Sequence, residues 1–218
     1  MKYAIITLYI ILSGIHLYHS WKDDAKRRAM TKPFLLILLA IYYALATKDL
    51  SWPLILALLT SWLGDVLLIP KGHKWFSMGG TSFLFSHFLF IGVYIPYVQW
   101  DRVPWLIIAV MTVVYYGTSF CIMRAVYPTT PRKMFPAMGM YLLANSTMNL
   151  FALMRLFTLG TLGSIVAYVG AVLFFISDCT LFLVRYYRNK DLIFKRHFTV
   201  MLTYLAGEML IVLGILMN

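Results

Sequence analysis

Long apolar runs separated by short polar segments fill the sequence from one end to the other. A helix that crosses a bilayer needs about 20 consecutive, mostly apolar residues. By that measure the pattern predicts eight helices, at about residues 3–21, 33–47, 52–70, 77–98, 104–125, 134–154, 160–184 and 198–217. The second run is short, and Pro33 suits its first turn, where a helix needs no amide donor. We therefore expect an all-α membrane protein built as a bundle of eight transmembrane helices.

Composition supports this interpretation. Of the 218 residues, 61% are hydrophobic and only 12% are charged, whereas a soluble domain is about half apolar and about a quarter charged. The N-terminal run lacks the A-x-A cleavage pattern of a signal peptide and is interpreted as a retained first span. Because apolar runs leave no room for a linker or a soluble domain, residues 1–218 are expected to form a single polytopic membrane domain.

The distribution of charge predicts an orientation. The net charge is +11, but the basic residues lie in short connections, where they orient a membrane protein and contact anionic lipids rather than nucleic acid. Connections one, three, five and seven carry most of them; the seventh carries Arg185, Arg188, Lys190, Lys195 and Arg196. Positively charged loops stay in the cytoplasm. Loops 1, 3, 5 and 7 are therefore predicted to be cytoplasmic and both termini to lie outside, in a multi-pass protein of the cell (inner) membrane.

Two carboxylic acids interrupt the apolar runs. Asp65 lies in SWLGDVLLIP, residues 61–70, and Asp178 lies in FFISDCTLFLV, residues 174–184. An ionised carboxylate in hydrocarbon costs several kcal/mol, so acids in spans usually serve a function. Both lie several residues from the predicted inner ends of the third and seventh spans. Two acids at matching depth are therefore the main candidates for chemistry, with a structural ion pair as the alternative.

Other polar residues share this depth, between the inner interface and the midplane. They are Lys32, His87, Tyr141, Asn145, Ser146, Tyr204 and Glu208. Eight helices packed with their polar faces inward would gather these side chains around one cavity, open to the cytoplasm or the inner leaflet. Structural roles compete here too, such as interhelical hydrogen bonding for Asn145 and ordinary loop charge for Lys32.

Known chemical motifs are absent, which narrows the possible reactions. The sequence has no H-E-x-x-H motif, P-loop, nucleophile elbow or dinucleotide fingerprint, so no cofactor is expected, although a metal site is left open. Burial disfavours the ionised form of a carboxyl, and a second carboxylate nearby disfavours it further. One acid can then stay protonated while its partner ionises. Such a pair can protonate an acid-labile bond and stabilise the cation that forms, or it can serve a proton-coupled carrier.

Six segments resemble the lysoplasmalogenase family of membrane proteins, also called YhhN-like. In order along the chain they are M-T-K-P (30–33), S-W-L-G-D (61–65), F-S-M-G-G-T-S-F-L-F-S-H (76–87), Y-L-L-A-N-S-T-M (141–148), G-A-V-L-F-F-I-S-D (170–178) and T-Y-L-A-G-E-M-L-I (203–211). They follow the family's order and extend over nearly the whole chain. The S-x-x-G-D and G-A-x-L-F-x-x-S-D segments are the most specific.

The resemblance implies an eight-helix hydrolase that cleaves the vinyl-ether bond of lysoplasmalogens to a fatty aldehyde and a glycerophospho-ethanolamine or -choline. It assigns the family's paired aspartates to Asp65 and Asp178, its motif histidine to His87 and its motif lysine to Lys32. One position departs from the pattern. The last motif commonly ends Y-x-x-A-Q and here ends Y-L-A-G-E, so Glu208 replaces a glutamine, which could alter the ionisation of the acids or the choice of headgroup.

This chemistry agrees with the residues. A vinyl ether is hydrolysed by protonation of its outer alkene carbon, which requires a general acid and a nearby carboxylate that stabilises the resulting cation. Asp65 and Asp178 are expected to take these roles in either order, with His87 orienting a carboxyl or relaying protons. Lys32 is expected to contact the phosphate of a lysophospholipid. The remaining substrate-binding candidates are Tyr141, Asn145, Ser146, Tyr204 and Glu208.

Two other functions compete with hydrolysis. A proton-coupled transporter of a lipid or small amphiphile would use the same acids as proton sites. A structural or sensor protein would bind lipid without turnover. In all three cases the expected partners are lipids of the bilayer.

Overall fold

The computed structural model describes residues 1–189 and 191–218, and within these ranges the regular structure is entirely helical. The α-helices are α1 (Lys2–Trp21), α2 (Ala25–Ala46), α3 (Trp52–Leu67), α4 (His73–Tyr94), α5 (Trp105–Val126), α6 (Phe135–Leu159), α7 (Leu162–Tyr186) and α8 (Arg196–Leu216). Short 3₁₀ turns lie in the connections on either side of α5. Lys190, which belongs to the basic seventh connection, lies outside the described residues.

Seven of these helices, all except α3, are long and apolar enough to cross a membrane, counting the described residues only. Large apolar side chains on α5 face outward at seven-residue intervals, at Leu106, Val113 and Phe120, as expected of a helix that contacts lipid. The chain is therefore a multi-pass membrane protein. With 16 residues, α3 is about 24 Å long, shorter than a hydrocarbon core of about 30 Å. The predicted eight crossings, and the sides on which the termini lie, therefore stay predictions.

Most boundaries agree with the sequence pattern, but α2 begins well before the predicted start at residue 33. Asp24 caps this helix, since its carboxylate accepts a hydrogen bond from the backbone N–H of Arg27 at 3.1 Å. Hydropathy marks only the apolar part of a helix, and the first turns of α2 are basic. Lys32 therefore projects from the body of the helix, and Pro33 lies within it rather than in its first turn.

Glycines allow α7 and α8 to pack closely. The glycine seam between them consists of Gly163, Gly170, Gly207 and Gly214. A Cβ atom added at Gly207 would lie 2.9 Å from the carbonyl oxygen of Gly170, and one added at Gly170 would lie 2.6 Å from the carbonyl oxygen of Gly207. Small residues permit such close approach of backbones in membrane helices. The seam holds Asp178 on α7 at a set position relative to Tyr204 on α8.

The centre of the bundle is formed mainly by α6 and α7, which contribute the most buried residues, whereas α1 and α5 contribute few. Both α4 and α8 pack against this centre. On the side away from α6 and α7, α3 packs against α4, and α2 packs against α3 and α8. The two aspartates, on α3 and α7, therefore face each other across the middle of the protein.

Candidate active site

Asp65 lies in the last turn of α3 and is almost completely buried. One of its oxygens, Oδ1, lies 3.0 Å from Nζ of Lys32 on α2. The other, Oδ2, accepts a hydrogen bond of 2.9 Å from the hydroxyl of Tyr204 on α8. Three helices thus meet at this carboxyl, and the lysine compensates its charge.

Asp178 has a different set of neighbours. Its Oδ2 accepts a hydrogen bond of 2.7 Å from Nδ2 of Asn145 on α6 and lies 3.2 Å from Nε2 of His87 on α4. Asn145 is oriented in turn, because its Oδ1 accepts a bond of 3.0 Å from Nδ2 of Asn149. The His87 ring is fully buried, with its centroid 5.0 Å from that of Tyr141. Asp178 is therefore held by an amide and an imidazole, whereas Asp65 is held by a lysine and a phenol.

Both carboxyls line one cavity of about 160 Å³. Its other polar side chains are Lys32, Ser177, Arg185, His197 and Tyr204, and its apolar walls include Leu68, Phe76, Phe83 and Leu181. His197 also lines a neighbouring cavity of about 430 Å³ formed by the end of α1 and the start of α8, beside Lys22 and Lys195. The carboxyl cavity therefore adjoins a basic surface at one end of the bundle.

The sequence model of the YhhN family matches residues 27–215. The chain belongs to the YhhN family. The matched range contains every residue of the carboxyl cavity described above. No curated protein and no solved structure matches the chain. Membership of the YhhN family is consistent with a membrane hydrolase.

The structure brings six of the predicted site residues together around the two carboxyls. They are Lys32, Asp65, His87, Asn145, Asp178 and Tyr204. Tyr141 packs on His87 with its hydroxyl near the Asp178 carboxyl, and it lines an adjoining apolar cavity. Ser146 faces α5 instead, where its hydroxyl lies 2.9 Å from that of Ser119. The side chain of Ser146 thus joins two helices and does not reach the YhhN carboxyl cavity.

Glu208 is also separated from the cavity. It lies one turn beyond Tyr204 on α8 and is fully buried. Within the described parts of the chain neither of its carboxyl oxygens makes a hydrogen bond, and Ser61 on α3 is one of its neighbours. Glu208 therefore lies near Asp65 but not in the lining of the cavity.

Two cavity residues, Arg185 and His197, were not predicted as site residues. Arg185 was counted among the basic residues of the seventh connection, but it lies within α7, two turns after Asp178. His197 lies two turns before Tyr204 on α8. A spacing of seven places each residue on the same helix face as its partner. That spacing was present in the sequence and would have found both.

Proposed function

We propose that the protein is a membrane hydrolase that cleaves the vinyl-ether bond of lysoplasmalogens, releasing a fatty aldehyde and a glycerophospho-ethanolamine or -choline. The observation that carries the proposal is the pair of buried carboxyls on one cavity, each with its own kind of partner. Lys32 neutralises Asp65, whereas Asp178 is held by Asn145 and His87. Membership of the YhhN family supports the same conclusion.

The different partners suggest which acid takes which role. An ion pair with Lys32 requires Asp65 to be a carboxylate. Asp178 is then the general acid, with its proton on Oδ1, because Asn145 and His87 both contact Oδ2. The Asp178 proton is transferred to the outer alkene carbon, and the ether oxygen shares the resulting positive charge as an oxocarbenium ion. The Asp65 carboxylate stabilises that charge.

Hydrolysis then completes in two steps. Water adds to the oxocarbenium carbon while Asp65 accepts one of its protons. The hemiacetal collapses to an aldehyde, and its hydroxyl proton moves to the departing glycerol oxygen. The proton held by Asp65 returns through the cavity to Asp178, which restores both groups. Tyr204, Asn145 and His87 act as positioning residues for the two carboxyls.

The lipid headgroup would lie at the basic end of the cavity. Two further basic side chains line the cavity, His197 and Arg185, and the guanidinium of Arg185 lies 3.8 Å from the centroid of the Phe76 ring in the cavity wall. We assign the phosphate contact to these two side chains, beside the Lys32–Asp65 ion pair. A guanidinium group suits phosphate because it donates paired hydrogen bonds. This arrangement leaves the vinyl-ether bond beside the carboxyls.

The test uses purified protein in detergent with a vinyl-ether lysophosphatidylethanolamine, measuring released aldehyde. Removal of general acid–base catalysis typically costs about 10²–10⁴-fold in rate, so Asp65→Asn and Asp178→Asn should each lose at least about 100-fold. The matched control is Asp101→Asn, which changes an exposed acid in the connection before α5 and should keep full activity. Thermal unfolding of all variants establishes that they are folded.

Two results would contradict the proposal. One is activity close to that of the wild type in both Asp65→Asn and Asp178→Asn. The other is a folded wild-type protein that releases no aldehyde from any vinyl-ether lipid but, when reconstituted in sealed vesicles, transports an amphiphile in response to a proton gradient. That result would indicate a carrier.

A further inference from the structure

A second cavity adjoins the carboxyl cavity and is apolar. It lies between α4, α6 and α7 and has a volume of about 80 Å³. Leu68, Phe76, Phe83 and Leu181 line both cavities. The two cavities therefore adjoin along these four apolar side chains, with the carboxyls in one cavity and a hydrophobic groove in the other. We refer to this second cavity as the α4–α6 groove.

The α4–α6 groove opens toward the lipid-facing surface of the bundle. At its rim Ser77 and Thr81 on α4 and Ala137 on α6 are exposed. At its base Met138 and Phe182 are buried. A hydrocarbon chain could therefore pass sideways from the bilayer between α4 and α6 and reach the four side chains that also line the carboxyl cavity.

Gly80 lies at the centre of the α4 face that lines the groove. The residues three and four positions before and after it, Phe76, Ser77, Phe83 and Leu84, line the same groove, as helical geometry requires of one face. A Cβ atom added at Gly80 would meet nothing within 4 Å, whereas one added at the adjacent Gly79 would lie 2.9 Å from the side chain of Leu68. The lack of a side chain at position 80 therefore leaves the groove open.

We infer that the α4–α6 groove admits the hydrocarbon chain of the lipid substrate and that Gly80 determines how many of its methylenes the groove accepts. The identity of the substrate rests on the proposed function, but the groove itself does not. The polar carboxyl cavity and the apolar groove beside it together favour a single-chain amphiphile as the occupant. Arg185 and His197 give the carboxyl cavity a basic side that suits an anionic headgroup, and the adjoining groove has apolar walls. Between them lie the carboxyls, where the ether bond would be.

The experiment narrows the groove by substitution and measures which length of lipid chain the protein prefers. Gly80→Leu places a branched side chain in the groove, and Gly117→Leu on α5 is the matched control, because a Cβ atom there also meets nothing within 4 Å and Gly117 lines neither cavity. Binding is measured with non-hydrolysable alkyl-ether lysophosphatidylethanolamines whose chains have about 10 to 16 carbons. Turnover of the matching vinyl-ether lipids is measured in parallel.

Transfer of one methylene from water to an apolar site raises affinity roughly fourfold, which is the upper limit for each methylene held in the groove. A leucine that displaces several methylenes from the groove should therefore lower the preference for the longest over the shortest chain by up to about tenfold. Gly117→Leu should keep the wild-type preference. Ala137→Leu, which narrows the groove from α6, should act in the same direction as Gly80→Leu and carries the test if the glycine variant does not fold.

The possible outcomes distinguish a failure of the inference about the groove from a failure of the proposed reaction. The inference is overturned if Gly80→Leu and Ala137→Leu keep the chain-length preference of Gly117→Leu, even when all of them release aldehyde. A changed preference in binding supports the groove even if no variant, nor the wild type, cleaves a vinyl ether. In that case the proposed reaction fails and the binding site for a single hydrocarbon chain stands.

Discussion

Replacement of Gly207 by alanine tests whether the glycine seam sets the geometry of the site. The new Cβ atom would lie 2.9 Å from the carbonyl oxygen of Gly170, about 0.5 Å closer than an ordinary contact of 3.4 Å or more. Backbone atoms cannot rotate away, so α7 and α8 must separate by about that distance. Overpacking of this kind typically costs about 1–3 kcal/mol. Tyr204 lies one turn earlier on α8, and the same displacement would stretch its 2.9 Å hydrogen bond to Asp65 beyond the usual range.

We therefore expect Gly207→Ala to unfold at a lower temperature in detergent and to release aldehyde more slowly than the wild type. The control is Gly14→Ala on α1, where the added Cβ atom meets nothing within 4 Å. Both substitutions make the same change in helix propensity, so a difference between them reports on packing. Equal melting temperatures and equal rates for the two variants would refute the idea that the seam positions Tyr204.

Two further predictions concern charge and orientation. Lys32→Met removes the cation 3.0 Å from Asp65 and leaves a buried carboxyl unpaired, which should abolish aldehyde release and lower stability by about 3 kcal/mol. Lys32→Arg keeps the charge and should retain measurable activity, and equal rates for the methionine variant and the wild type would contradict this reasoning. Reporters fused before Met1 and after Asn218 should both report the outer side of the membrane. Reporters on opposite sides would indicate that α3 does not cross.

Hydropathy predicted those helices whose whole length is apolar. The predicted spans at 104–125 and 160–184 differ from α5 and α7 by only one or two residues at each end. The start of α2 was missed because its first turns are basic, and a basic helical turn looks like a loop when only hydrophobicity is counted. A capping aspartate, Asp24, marked the true start.

The two aspartates could be predicted as a pair because an acid in an apolar run is costly wherever it occurs. Their partners could not be assigned in the same way. Tyr204 and Glu208 share a face of α8, yet only the tyrosine reaches Asp65, across 139 residues of sequence. Ser146 follows Asn145 directly, but one residue corresponds to about 100° of rotation around a helix. That rotation turns the serine toward α5 and away from Asp178.

The order of the residues along the chain has a consequence for biogenesis. A ribosome delivers the chain from its N-terminus, and each acid follows a polar partner that has already been synthesised. Lys32 precedes Asp65, so α2 and α3 can enter the bilayer as a neutral pair rather than with a bare carboxylate. His87 and Asn145 precede Asp178 in the same way. Tyr204 is made last, so newly synthesised chains gain a complete site only when the final helix has been inserted.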